Sequence, residues 1–358
     1  MTGDPGLPEL IDAQIRANGP MSIASYMALC LTHPRRGYYK QDDPLGAGGD
    51  FITAPEISQM FGELIGFFFV NLWQQKGEPR SFTLLELGPG RGTLMQDALR
   101  VATRAPGFGD ALHLQLYETN EDLKRQQAAR LRQYHPYWAE EIDAVGDGPL
   151  LVVANEFFDA MPIRQFVRGT AGWHERLVGL RDGKRIFGLS PTPIPDGAVP
   201  ETLRGAGPGA VYEMSLAARD VMQRLGQAVA RLGGAILAID YGHGETQAGE
   251  TLQAVRRHAY ADPLDAPGQA DLSAHVDFGA LATAATDAGL IAQPLATQGD
   301  FLRRLGIGER ARMLADANPG EAATIAAALE RLTGAEQMGR LFKVFCATSP
   351  GLVPAGFS

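Results

Sequence analysis

Gly88, Gly90 and Gly92 alternate along the stretch LLELGPGRG, and Glu86 stands two residues before the first of them. Backbone without a Cβ can turn sharply and admit a ligand closely, and a helix opening just beyond offers unpaired N–H groups. Gly88, Pro89, Gly90 and Gly92 therefore read as a loop for a nucleotide-like ligand. A second constellation follows another apolar run, where NEFFDAMPIRQF brings Asn155, Glu156 and Asp159 together. Two carboxylates and an amide on one loop suit holding a cation and moving a proton. Glu118 follows the run LHLQLY, a strand-end position from which an acid accepts hydrogen bonds from ribose hydroxyls. Glu213, in VYEMS, is a further acid available for catalysis. Upstream, GGDFITAPE delivers Gly48, Gly49, Asp50 and Thr53 to a helix N-terminus, a ready site for an anion or polar ligand.

A parallel sheet would bring these residues to one edge, because strand ends at its carboxyl side face the cleft. Thr83, Leu84, Leu85 and Leu87 read as a buried parallel strand, and Leu94, Ala98, Leu99 and Ala102 return to helical spacing. Further strands are expected over 112–117, weakly over 137–145 with Trp138 near its start, then over 150–154, 235–239 and 341–347. Glu118 lies farther from Gly88 than the usual ~20 residues because the loop RAPGFGD intervenes. Thr53-Ala-Pro-Glu56 is a capping box, predicted to open one helix with Ile57, Met60, Phe61, Leu64, Ile65, Phe68 and Leu72 on a face. Residues 1–80 thus form an N-terminal helical cap segment, and 81–358 a Rossmann-like α/β domain. That domain carries insertions at about 163–212, where strands alternate between glycine-containing turns, and at about 243–280.

At 358 residues and 45% apolar, the chain can bury a large core. A formal charge of −9, with no basic block, excludes nucleic-acid backbone binding. Cys30 and Cys346 are the only cysteines, which supports neither a disulfide framework nor structural zinc and fits a reducing cytoplasm. The opening MTGDPGLPEL resembles neither a secretory signal nor a presequence. The longest apolar run, LIGFFFVNLW, is about half of the ~20 residues a bilayer requires, so no membrane insertion is expected. His275 and Asp277 lack metal-ligand spacing, and no metal is expected.

The dinucleotide fingerprint needs a third glycine where Thr93 stands. The pattern is instead E-x-G-x-G-x-G, which resembles motif I of class I S-adenosylmethionine (SAM) methyltransferases. Six stretches in order, GGDFITAPEISQMFGELIG, LLELGPGRG, VVANEFFDAMPIRQF, GGAILAIDYGH, ADLSAHVDFGAL and MGRLFKVF, resemble the MidA-like family. Its members are SAM-dependent protein arginine methyltransferases associated with assembly of respiratory complex I. The resemblance implies a class I methyltransferase sheet, mostly parallel with an antiparallel final strand. It also implies SAM as cofactor, with Glu86, Gly88, Pro89, Gly90 and Gly92 around it, Glu118 as ribose acid, and Gly49, Asp50, Thr53 and Asn155 as further contacts. The methyl acceptor would be an arginine of a protein, with a complex I subunit the first candidate, and a homodimer stays open. An always-charged guanidinium needs carboxylates to hold it and take its proton. Glu156 is the first choice, with Asp159 or Glu213 as second acid. The competing readings are a small-molecule methyltransferase and a SAM-binding assembly factor without turnover.

Overall fold

The computed structural model describes residues 5–40 and 53–357. They fall into two compact units, the larger comprising residues 52–158, 220–242 and 281–358. Its sheet contains β1 (Phe82–Leu87), β2 (Leu112–Tyr117), β3 (Tyr137–Trp138), β4 (Leu150–Asn155), β5 (Gly234–His243), β6 (Ile291–Ala292), β7 (Ala296–Thr297) and β8 (Phe342–Thr348). The order is β6-β8-β5-β4-β1-β2-β3, with β7 also on β8. Strands β1 to β5 pair in parallel, and β8 runs antiparallel to β5, from Ala235 opposite Thr348 to Tyr241 opposite Phe342. The expected class of sheet is therefore present. Every residue of β1 is buried, which explains its continuous apolar run: a strand covered on both faces has no solvent side to alternate with.

Helix α1 (Gln59–Gln75) and helix α2 (Thr93–Ala102) cover this core with Phe61, Leu64, Phe68, Leu94 and Leu99. Their backbones approach closely at two glycines. A Cβ on Gly62 would stand 2.9 Å from the Leu94 carbonyl oxygen, and one on Gly66 only 2.3 Å from that of Ala98. Between them Glu63 is wholly buried, and its carboxylate accepts from Arg100 at 2.8 Å and from Arg310 at 2.5 and 2.9 Å. A buried acid held by two guanidiniums fixes both helices and the segment Ile307–Ala317 around one point.

The single helix expected from Thr53 is interrupted. Ala54–Ile57 forms one turn, Ser58 is extended at φ −163°, and its hydroxyl accepts from the Met60 N–H at 3.2 Å to cap α1. Thr53 occupies the N-cap position of the short turn without a side-chain cap bond. Serine is as good a cap as threonine, and the second cap restarts the helix.

The smaller unit comprises residues 1–51, 159–219 and 243–280. Here Met21–Ser22 pairs antiparallel with Trp173–Arg181, which also pairs with Arg164–Arg168 and Lys184–Leu189. Ile11, Met27, Val178 and Leu272 share its core. The helices Leu7–Asn18 and Ile23–Thr32 thus fold with both insertions, whereas α1 belongs with the large sheet, and the division falls between residues 40 and 53 rather than near 80. The stretch Val211–Met214 is a strand against Arg164–Arg168 before the following helix begins.

Overpacking a well-packed contact costs about 1–3 kcal/mol. Gly66→Ala is expected to lower stability by that amount in urea unfolding. Gly308→Ala, at a helical position with open space around it, is expected to be neutral or slightly stabilising.

Candidate functional site

The parallel register sets the strand ends level. Leu87 lies beside Tyr117 on one side and Ala154 on the other, and Asn155 lies beside Ile239. Successive connections leave β1 in opposite directions along the sheet, toward β2 and β3 and then toward β4 and β5, and ligands of open α/β sheets bind at such a switch point.

The glycine loop needs its glycines. Gly88, Gly90 and Gly92 have φ of 61°, 53° and 78°, the left-handed region that other residues enter at a cost. The Gly92 N–H closes the turn on the Pro89 carbonyl at 2.8 Å, and α2 starts at the next residue. A Cβ on Gly88 would stand 3.0 Å from the Phe157 ring.

Glu86 is 3% exposed, and its Oε2 has no hydrogen-bond partner among the described residues. Burial, and then the charge of Glu118, pushes its carboxyl up to about 8. Asn155 Oδ1 is likewise buried without a partner among the described residues, while its amide nitrogen donates to Glu156 Oε1 at 3.2 Å. Two vacant acceptors at neighbouring strand ends suit a cationic donor such as an ammonium. Glu118 is half-buried and oriented: Oε1 accepts from the N–H groups of Thr119 and Asn120 at 2.7 and 2.8 Å.

Glu156 follows β4 with φ 51°, a conformation costing about 1–3 kcal/mol for a residue with a side chain. Neighbouring strands hold it there. The Glu156 N–H donates to Ile239 at 2.9 Å, and buried Asp240 accepts from the Phe158 N–H at 3.0 Å. Glu156 Oε1 also accepts from the Ala54 N–H at 3.3 Å.

Glu86, the glycine loop, Glu118, Asn155 and Glu156 all belong to the larger unit. Gly49 and Asp50 lie outside the described residues. Asp159 and Glu213 belong to the smaller unit. Glu213 accepts from the Thr251 and Leu252 N–H groups at 3.0 and 3.3 Å, from the Thr251 hydroxyl, and from Gln165 at 2.6 Å. Its carboxylate ties Val211–Met214 to the 251–252 segment. The Asp159 carbonyl accepts from Ala274. Tyr39 donates to Asp271 at 3.0 Å, and burial, with the charges of Asp271 and Asp159, raises its phenol well above the usual range.

Several partners went unread in the sequence. Thr93, the residue that breaks the dinucleotide fingerprint, donates to Glu56 at 2.6 Å and accepts from Arg130 at 2.5 Å. Gln127, in helix α3 (Glu121–Leu131), is fully buried and binds the glycine loop, Glu118 and Trp138. A signal for it exists: Leu123, Gln127 and Leu131 share a helical stripe in which only the middle residue is polar. Trp138 is half-buried and donates its indole N–H to Gln127.

A switch-point cleft with an acid, three left-handed glycines and a second strand-end acid defines the SAM-binding class of Rossmann-like folds. A family model described as "Putative S-adenosyl-L-methionine-dependent methyltransferase" matches residues 64–295, and the chain belongs to that family. The chain is 37% identical to "Protein arginine methyltransferase NDUFAF7, mitochondrial" of Danio rerio, over 93% of this chain and 84% of the relative. The protein of the same name from Homo sapiens is 34% identical over 93% and 81%. A Burkholderia thailandensis structure bound to S-adenosyl-homocysteine superposes with a TM-score of 0.87 at 26% identity, covering 98% of this chain and 93% of that one. The residues present fit such a cofactor, since the vacant acceptors of Glu86 and Asn155 match an ammonium.

A carboxyl whose folded pKa is raised binds its proton more tightly folded than unfolded, so stability falls as pH rises between the two values. For Glu86 that window runs from 4.5 to about 8. In thermal melts of the cofactor-free protein, Glu86→Gln should gain on the parent across this window and level off above it. A constant difference between the two would remove the assigned titration.

Proposed function

We propose that the chain transfers a methyl group from SAM to an arginine side chain of a protein substrate. The observation that carries this reading is the pair of buried acceptors without partners among the described residues, Glu86 Oε2 and Asn155 Oδ1, at adjoining strand ends. The relatives named as protein arginine methyltransferases supply the acceptor class.

When bound, the cofactor supplies an electrophilic methyl on a sulfonium. Glu86 and Asn155 would accept hydrogen bonds from the ammonium of its amino-acid end. Gly88, Pro89, Gly90 and Gly92 would let it lie against backbone, and Glu118 would accept from its ribose hydroxyls. Gly49, Asp50 and Thr53 are contacts by family resemblance. Glu156 holds the planar guanidinium, draws positive charge away from the attacking nitrogen and takes the proton released on transfer. Its strained backbone supports a functional role, because such conformations cluster at active sites. Asp159 or Glu213 is the sequence-based candidate for a second acid. Much of the acceleration would come from in-line positioning, which can remove several orders of magnitude of barrier.

The family resemblance makes a respiratory complex I subunit the first protein to test, in the cytoplasm of a bacterial host. Among the described residues no helix is long and apolar enough to cross a membrane. Calorimetric titration should show SAM binding by the parent and none by Gly90→Val. Mass spectrometry of candidate subunits incubated with enzyme and SAM should find methylated arginine. Glu156→Gln should keep SAM affinity and lose roughly 10²–10⁴ in turnover; loss of cofactor binding in that variant would overturn its role.

A further inference from the structure

We infer that Gln127 is a positioning residue that locks the ribose acid to the glycine loop, so that ribose recognition and loop geometry form one unit. The inference rests on the SAM reading of Glu118 above. Gln127 is 0% exposed, and its amide bridges three elements. Nε2 donates to the Gly90 carbonyl at 2.6 Å and to Glu118 Oε2 at 3.3 Å, while Oε1 accepts from the Trp138 indole at 2.8 Å. An indole N–H can only donate, so the amide oxygen must face Trp138 and the nitrogen must face the two acceptors. The amide's two N–H bonds are thereby divided between the loop that holds the cofactor and the acid that reads its sugar.

The same helix grips the loop a second time. Arg130, one turn on, donates to Thr93 at the start of α2, and Thr93 donates to Glu56. The position where a Cβ of Gly92 would stand is flanked by Leu131, Gln127 and Arg130. Glu118 has its other oxygen held by two backbone N–H groups, and the Gln127 bond helps to orient the carboxylate that would face a ribose. Without it, Glu118 loses this bridge to the Gly90 carbonyl while keeping its own strand-end turn.

The test is a thermodynamic cycle on binding, read by calorimetry with S-adenosyl-homocysteine and its 2′,3′-dideoxy analogue. The parent should bind the intact ribose roughly tenfold to a hundredfold more tightly, as expected for hydrogen bonds to a charged group. Gln127→Met fills the space without donors, and Gln127→Glu keeps the size and the acceptor for Trp138 but offers no donor when ionised. In whichever variant retains a cooperative melt, the intact-to-dideoxy ratio should fall toward one. A ratio unchanged from the parent in a folded variant, even with overall affinity reduced, would overturn the inference, since packing alone would then explain Gln127. A parent that binds neither ligand would overturn the SAM reading instead, and a parent that binds both equally would overturn the ribose role of Glu118.

Discussion

A buried carboxylate oxygen that no described residue supplies with a donor governs this molecule. An ionised carboxylate taken from water must be paired, protonated or penalised by several kcal/mol. Glu86 sits at the end of a strand buried along its whole length, and the charge of another acid, Glu118, adds to the cost of ionising it. Asn155 on the adjoining strand end adds an amide oxygen that has no partner among the described residues. The edge is therefore built to receive positive charge. This is an electrostatic specification of the ligand that precedes any detail of shape.

Holding such an edge in place requires support from outside it. The left-handed glycines cannot fix themselves, because the freedom that admits their conformation admits others as well. Gln127, Arg130 and Thr93 restrain the loop from one side, and the close packing of α1 on α2 restrains the helix that follows it. On the β4 side, Asp240 is wholly buried and spends its carboxylate on the N–H groups of Phe158 and Tyr241, which keeps the strained turn at Glu156 from relaxing. The chemistry-bearing residues and their braces thus come from different strands and helices.

The large sheet was legible because its strands announce themselves. LLEL, LHLQLY, LLVVA and AILAI are apolar runs ending in polar residues, and the glycine spacing distinguishes one nucleotide class from another. Less visible was anything that depends on distant pairing. Met21–Ser22 is too short to register as a strand alone and exists only because Trp173–Arg181 offers an edge. For the same reason the N-terminal helices could not be assigned to the unit containing the insertions. Ser58 was concealed by a stronger-looking capping box five residues earlier, and two caps in succession make a turn and a helix rather than one helix. Glu213 read as a free acid, since a sequence does not show that Thr251, Leu252 and Gln165 converge on it. Gln127 sits in a helix rich in polar residues, where one more amide gives no signal by itself, although its neighbours one turn away on either side are leucines.

The strand order also has a consequence for biosynthesis. Strand β8 lies between β5 and β6, yet β5 is synthesised roughly 100 residues earlier. At about 5–20 residues per second, a nascent chain carries β5 for roughly 5–20 s before Phe342–Thr348 reach it. Throughout that interval the apolar stretch Ala235–Tyr241 presents one side of unpaired N–H and C=O groups, the kind of edge that recruits strands from other chains. A message truncated ahead of its last strand would therefore yield a chain whose sheet is left open along the edge that Phe342–Thr348 covers.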